Sequence, residues 1–306
     1  MHAHLFPREW ASRGRMPESV FDVDGLVARL DEGAVQRAIV SDPHIWYGDL
    51  DVCDIAQVRD YNDFAAGLSD RTDGRLVGMG TVVPWRGPDH VHEARRAIRD
   101  LGLVGLAVPT SDNGQYLDAV PDDFWSTATD LDVPVFLHPG GTVVGQELMG
   151  EYRLAEVCGR PLDTTVTLAR AILTGVLERH DTLKLLCSHA GGAICTIADR
   201  LDFGHELRDY APLGPWGAVH LPRPPSEYVQ RLWLDTVTYG PKPLRLALET
   251  VGPEHVCFGS DGPPVPFPLS RHLANVGAAG LDEKGMKAVL GGNAEVLFGL
   301  DSGRAS

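Results

Sequence analysis

The sequence predicts an α/β chain whose strands close into a (β/α)8 TIM barrel, and three observations carry that prediction. Short apolar runs alternate with stretches of helical spacing, and eight strands result when the one that must carry His2 and His4 is counted. The runs are apolar throughout rather than half-polar, as expected of a parallel sheet covered on both faces. Several end in histidine or aspartate, and a barrel gathers its polar groups at the carboxyl ends of its strands. An open doubly wound sheet fits the same alternation, but no G-x-G-x-x-G or G-x-x-x-x-G-K-[ST] stands at any strand-to-helix turn.

His2 and His4 open the chain two residues apart, so an extended backbone turns both imidazoles to one face. A full stave needs about five residues before His2, and only Met1 precedes it. The first strand is therefore expected to be truncated or frayed, the functional chain to begin upstream, and His2 to be the least anchored histidine. Residues 8–19 lack apolar periodicity and predict a loop. Helical spacing starts near Asp24, with Val27 and Leu30, and residues 37–41 read as a strand. The loop after it carries His44, Trp46 and Tyr47, residue types that suit a substrate pocket or plain packing. Helices are then expected over 58–68, 89–101, 123–131, 163–179, 194–207 and 243–251, with closing helices through Leu300. Strands are expected over 76–83, 103–108, 133–138, 183–189, 232–236 and 256–261, with a Pro- and Gly-rich loop through Pro225. No linker, repeat or low-complexity tract divides the chain, so residues 1–306 are expected to form a single domain.

A chain of 306 residues with 43% hydrophobic content can bury a barrel-sized core. Its formal charge of -15 argues against nucleic acid or an anionic membrane as partner, and an anionic substrate would need local cations. No apolar run approaches the roughly 18 residues of a membrane helix, and no signal peptide is recognisable. Cys53, Cys158, Cys187, Cys195 and Cys257 include no C-x-x-C pair, which fits a reducing compartment, hence the cytoplasm.

The chemistry-bearing residues fall at strand ends. His138 ends the fifth strand, His189 the sixth and Asp261 the eighth, while Asp235 lies in the seventh. Alternation groups His189 with Leu183, Leu185 and Cys187, and Asp261 with Cys257 and Gly259. Any one polar residue there can be a satisfied strand-end cap. Together, His2, His4, His138 and Asp261 offer an N3O donor set suited to one divalent transition metal, zinc or manganese, with room for water. His189 is then the extra imidazole, free to move protons. No G-x-S-x-G elbow of a serine hydrolase occurs.

Five phrases resemble the amidohydrolase superfamily in order and spacing: His-Ala-His-Leu-Phe-Pro at 2–7, Phe-Leu-His-Pro at 136–139, Cys-Ser-His-Ala-Gly-Gly at 187–192, Phe-Gly-Ser-Asp at 258–261 and Gly-Asn-Ala-Glu-Val-Leu-Phe-Gly-Leu at 292–300. The resemblance extends through the segment 75–81 and is closest to metal-dependent decarboxylases of the 2-amino-3-carboxymuconate-6-semialdehyde type. It implies His2, His4, His138 and Asp261 as metal ligands and His189 as catalytic histidine, with Asp261 able to relay the same proton. It also implies that Arg208 reaches a neighbouring subunit's site to hold a substrate carboxylate, and therefore a homodimer. None of Lys184, Lys242, Lys284 and Lys287 stands on the fourth strand, so the carboxylated lysine of two-metal relatives has no counterpart. Gly140 and Gly141 replace a tryptophan typical of those decarboxylases, which implies a wider or differently filled pocket there. The segment after the first strand is short, leaving Arg13 and Arg15 as candidates for an arginine it normally supplies. The implied reaction is non-oxidative decarboxylation of a small aromatic or unsaturated carboxylic acid. Hydrolysis or hydration of a lactone, amide or double bond would use the same residues, and a barrel with a damaged metal site would be non-catalytic.

Overall fold

The eight predicted apolar runs carry nine parallel strand segments among the described residues, each shorter than its run, because the third run is split in two. The computed structural model describes residues 2–13, 16–43, 54–210 and 221–300. Met1, Arg15, His44, Trp46, Tyr47 and Cys53 lie outside the described residues, as does the side chain of Arg13. β1 (Ala3–His4), β2 (Ala38–Ser41) and β3 (Leu76–Gly78) form a parallel three-stranded sheet. β4 (Gly80–Thr81) and β5 (Leu106–Pro109) begin a second sheet. After a small hairpin of β6 (Ser111–Asp112) and β7 (Gln115–Tyr116), that sheet continues through β8 (Val135–His138), β9 (Leu185–Cys187), β10 (Trp233–Asp235) and β11 (Val256–Cys257), all parallel.

The two sheets share a segment. β3 and β4 are interrupted only at Met79, whose N–H donates to Val40 O at 2.8 Å, while Gly80 N–H donates to Gly105 O at 2.9 Å. At the opposite edges Ala3 bridges Gly262 in parallel. There His4 N–H donates to Gly262 O at 2.8 Å and Asp261 N–H to His2 O at 3.0 Å. The architecture is thus α/β with two parallel sheets, and β1 hydrogen-bonds the segment that follows β11.

Residues alternate between two apolar layers, which is why the runs read as continuously apolar. Ile39, Met79, Ala107, Phe136, Leu186 and Cys257, from β2, the link between β3 and β4, β5, β8, β9 and β11, form an inner cluster closed by Leu297 and Phe298 of the helix Asn293–Phe298. Their neighbours Leu106, Val108, Val135, Leu137, Leu185, Cys187, Leu234 and Val256 pack outward against helices. The approach is close where glycine permits it: a Cβ on Gly78 would lie 2.4 Å from Ala65 O on the helix Ile55–Ala66.

Helices at Val23–Glu32, Pro88–Arg99, Asp122–Asp130, Ile194–Glu206 and Pro241–Val251 match the expected positions. The expected helix over 163–179 is two, Arg160–Leu173 and Val176–Arg179, because Gly175 between them takes φ 78°. Residues 8–19 are not all loop: 3-10 turns at Arg8–Arg13 and Glu18–Phe21 bury Trp10, Val20 and Phe21. The unexpected hairpin turns at Asn113-Gly114, both at positive φ, a pair suited to a two-residue hairpin turn. Among the described residues no helix is long and apolar enough to cross a membrane.

Candidate metal centre

The carboxyl ends of β1, β8, β9, β10 and β11 converge on one buried cluster of imidazoles and carboxylates. The backbone of β1 presents His2 and His4 inward, because Ala3 and Leu5 face an outer apolar layer. Phe136 faces inward on β8, so His138, two residues on, does too. The His2 ring centroid lies 4.9 Å from that of His4 and 5.2 Å from that of His138, and His4 to His138 is 5.0 Å. His2, His4 and His138 are each 1% exposed.

Each of these three rings is tethered through Nδ1. His2 Nδ1 hydrogen-bonds Asp235 Oδ2 at 2.5 Å, His4 Nδ1 meets Ser41 O at 3.1 Å, and His138 Nδ1 meets Pro43 O at 3.0 Å and Pro139 O at 2.9 Å. A proton on each Nδ1 leaves Nε2 as a lone pair, the arrangement that outer partners impose on metal-ligating histidines. The buried Nε2 atoms of His2 and His138 have no hydrogen-bond partner. His2 Nε2 does sit 3.3 Å from Asp261 Oδ1, without hydrogen-bond geometry, and His4 Nε2 sits 3.2 Å from the same oxygen. Two unpartnered buried nitrogens facing a carboxylate are a donor set lacking its acceptor, so the residues fit a divalent cation.

Asp261 divides its two oxygens. Oδ1 faces His2 and His4, whereas Oδ2 accepts from Tyr239 Oη at 3.0 Å and lies 3.4 Å from His189 Nε2. One donor atom from each of His2, His138, His189 and Asp261 falls within 4.8 Å of the others. Five side chains therefore meet, the sequence-predicted ligands together with His189.

His189 arrives by a different route from the one alternation suggests. Leu185 and Cys187 face the outer layer, so continued strand geometry would send His189 away from the cluster. Instead β9 stops at Cys187, and His189 and Ala190 take φ values of 53° and 52°, which turn the ring inward. His2, Tyr239 and Asp261 also lie at positive φ, 63°, 54° and 56°. Non-glycine residues in this region cost on the order of 1–3 kcal/mol each and gather at functional sites. Their concentration here is independent of the polar chemistry and points to the same place.

Charge is distributed unevenly. Burial opposes charging of His2, but Asp261 and Asp235 outweigh it and lift its pKa to about 9. Burial pulls His4 down, and burial with the other three imidazoles pulls His138 well down. Burial raises the carboxyls of Asp235 and Asp261, yet His2 and its neighbours reverse this, leaving both below the usual carboxylate range and Asp261 well below. The pattern is two carboxylates stabilised as anions beside His2, with the pKa values of His4 and His138 pulled down.

A cavity of about 800 Å³ opens from His4, His189 and Asp261. Val237, Leu246, Val265, Pro266 and Phe267 supply apolar wall, and Arg153, Glu156, Arg160 and Tyr239 add polar groups. Gly140 and Gly141, expected to leave the pocket wider or differently filled, do not line it. Arg208 lies away from it, past the end of Ile194–Glu206, where Nη1 donates to His205 O at 2.9 Å and Nε is 3.7 Å from Asp209 Oδ2. His2, expected to be poorly anchored, is held by Asp235 and by Asp261 N–H on its carbonyl. Two contributors carry no role in the sequence reading. Asp235 is visible there as a strand-end carboxylate, and it also accepts Ala190 N–H at 2.9 Å and Val237 N–H at 3.0 Å. Tyr239 is not, because T-V-T-Y-G reads as an ordinary loop.

An α/β fold of parallel strands with this cluster at their carboxyl ends defines a metal-binding hydrolase or lyase scaffold. The Amidohydrolase family model matches residues 1–300, and the chain belongs to that family. It is 28% identical over 290 residues to the 2-amino-3-carboxymuconate-6-semialdehyde decarboxylase of Dictyostelium discoideum, covering 92% of this chain and 77% of that one. Its structure resembles 5-carboxyvanillate decarboxylase from Sphingomonas paucimobilis, with TM-score 0.82, 25% identity and coverage of 94% and 86%. It also resembles dihydroxybenzoic acid decarboxylase from Polaromonas sp. JS666, solved with bound manganese and 2-nitroresorcinol, with TM-score 0.81, 23% identity and coverage of 98% and 96%.

Proposed function

We propose that the protein is a metal-dependent, non-oxidative decarboxylase of a small aromatic carboxylic acid, a lyase acting at the cluster above. The observation that carries this reading is the three Nδ1-tethered imidazoles whose Nε2 atoms gather around Asp261 Oδ1, with His189 on the other oxygen of that carboxylate. His2, His4, His138 and Asp261 hold one divalent metal, and His189 is left out of the set because its buried Nδ1 has no tether. The manganese of the Polaromonas enzyme favours manganese over zinc. When bound, the metal would supply a positive charge that draws electron density from the substrate's carboxylate end.

The reaction breaks the bond between ring carbon and carboxylate, leaves the electron pair on the carbon and releases carbon dioxide. That carbon then takes one proton, so the reaction consumes one proton overall. His189 Nε2 delivers it, being positioned by Asp261 Oδ2 and open to the cavity. Tyr239 keeps Oδ2 turned toward His189, and Asp261 can pass a proton along the same contact. The apolar wall holds the ring and excludes water.

We place the strands in one closed eight-stranded barrel and residues 1–306 in one domain; the Met79 segment and the Ala3–Gly262 bridge support closure. The cytoplasm suits Cys158, Cys187, Cys195 and Cys257, all free thiols. A homodimer in which Arg208 reaches the partner's substrate is supported by exposed Leu148, Tyr152, Val157 and Leu162 along 148–162.

The test is a panel of hydroxybenzoates, carboxyvanillate-like acids and lactones, read by carbon dioxide release and by ring opening with Mn2+ supplied. Carbon dioxide from an aromatic acid is expected. Turnover of lactones alone, with no carbon dioxide from any acid, would refute decarboxylation.

A further inference from the structure

We infer that Arg160, on the wall of the cavity that opens from the histidine and aspartate cluster, is the specificity-determining residue for a second carboxylate on the substrate. The inference rests on the decarboxylase reading for its site and adds the class of acid that site prefers. Among the described residues, two arginines line the cavity, Arg153 and Arg160. Arg153 is already engaged: its Nε donates to Glu156 Oε2 at 2.8 Å and its Nη2 donates to the same oxygen. That exposed pair neutralises itself. Arg160 makes no side-chain hydrogen bond or ion pair with any described residue, although it is only partly exposed. In a chain of net charge -15, an arginine left unpaired beside a mainly apolar cavity is an uncommitted anion site.

Its place is fixed by packing. Pro161, the next residue, lies so close to Gly192 that a Cβ there would come within 2.1 Å of Pro161 O, and Thr165 Oγ1 accepts Ala193 N–H at 2.8 Å. The start of the helix Arg160–Leu173 is therefore locked against the turn that carries His189. The same cavity is lined by His4, His189 and Asp261 of the cluster, by apolar side chains and by Arg160. A volume of about 800 Å³ exceeds what one unsubstituted ring requires and leaves space for a ring bearing a second charged substituent. A guanidinium recognises a carboxylate through paired N–H donors, and lysine cannot reproduce that geometry.

Equilibrium binding of benzoate and isophthalate to the Mn2+-supplied protein, measured by titration calorimetry, tests the assignment. Isophthalate is expected to bind at least about tenfold more tightly than benzoate in the parent. Arg160→Ala should abolish that ratio with benzoate affinity held, and Arg160→Lys should restore it only in part. An unchanged ratio in Arg160→Ala overturns the inference, as does a parent protein without preference. Loss of the ratio in Arg153→Ala while Arg160→Ala keeps it would also overturn it. A preserved ratio dependent on Arg160, with no carbon dioxide released from either class of acid, sinks decarboxylation and leaves the anion site standing.

Discussion

Asp235 Oδ2 lies 2.5 Å from His2 Nδ1, with both side chains fully buried. The contact fixes which nitrogen of His2 is bare: with the proton on Nδ1, Nε2 faces Asp261 and the other imidazoles. Asp235 also accepts two backbone N–H groups, from Ala190 and Val237, so it ties β1 to the turns after β9 and β10.

Asp235→Asn should therefore fold but hold metal more weakly, by roughly 10–100-fold, the usual effect of losing an outer partner of a ligand histidine. Competition against a chelator of known affinity measures it. Parent-like affinity would show that the His2 tether is structural and not part of the metal site.

The raised His2 pKa predicts a pH dependence of opposite sign for stability and for metal uptake. In the metal-free protein the folded value of about 9 exceeds the unfolded 6.5. Its stabilising contribution, on the order of 3 kcal/mol, is complete below pH ~6.5 and is lost as pH rises through ~9. Metal must displace that proton, so affinity should climb across the same window. Thermal melts of metal-free protein at several pH values, parent against His2→Asn, test the first part. Equal slopes for the two would show that His2 is not charged in the metal-free fold.

His189→Asn should keep the metal and lose roughly 10²-fold or more in kcat, the loss expected on removing a general acid. Metal analysis and turnover on the same sample decide it. Metal loss with an intact fold would make His189 a ligand, an outcome its place within 4.8 Å of His2, His138 and Asp261 makes worth checking.

How much of this was legible in the sequence follows from what each signal depends on. Strand and helix order is readable because it needs only local periodicity, and His138 falls at the end of a strand that stays regular throughout. His189 stands out in the sequence as a strand-end imidazole, but its orientation does not, because a left-handed backbone at His189 and Ala190 breaks the strand alternation. The His2 tether was out of reach because Asp235 is 233 residues away and nothing local joins them. Arg160 was invisible for a simpler reason: an arginine beside a proline at a helix start is ordinary until the cavity is seen. Strand lengths were overestimated, since apolar burial continues past the last ladder bond, as at Phe258 after β11.

Tyr239 is the residue that separates the two tasks of Asp261. Its hydroxyl donates to Oδ2 at 3.0 Å, and it does so from a backbone at φ 54°, a conformation that costs a non-glycine residue on the order of 1–3 kcal/mol. Although half of the residue is exposed, desolvation around its hydroxyl and the adjacent carboxylates of Asp261 and Asp235 push its phenol above the ordinary range, so it stays a neutral donor. Tyr239→Phe removes one hydrogen bond to a buried carboxylate, a loss of about 1.5–3 kcal/mol. Oδ1, the oxygen facing His2 and His4, is untouched by the change. Metal content should therefore stay near the parent value while kcat falls roughly 10-fold, because Asp261 no longer holds Oδ2 in line with His189. If Tyr239→Phe instead releases the metal at parent-like turnover per bound ion, the hydroxyl holds the ligand rather than the proton path, and the division of labour between the two carboxylate oxygens is wrong.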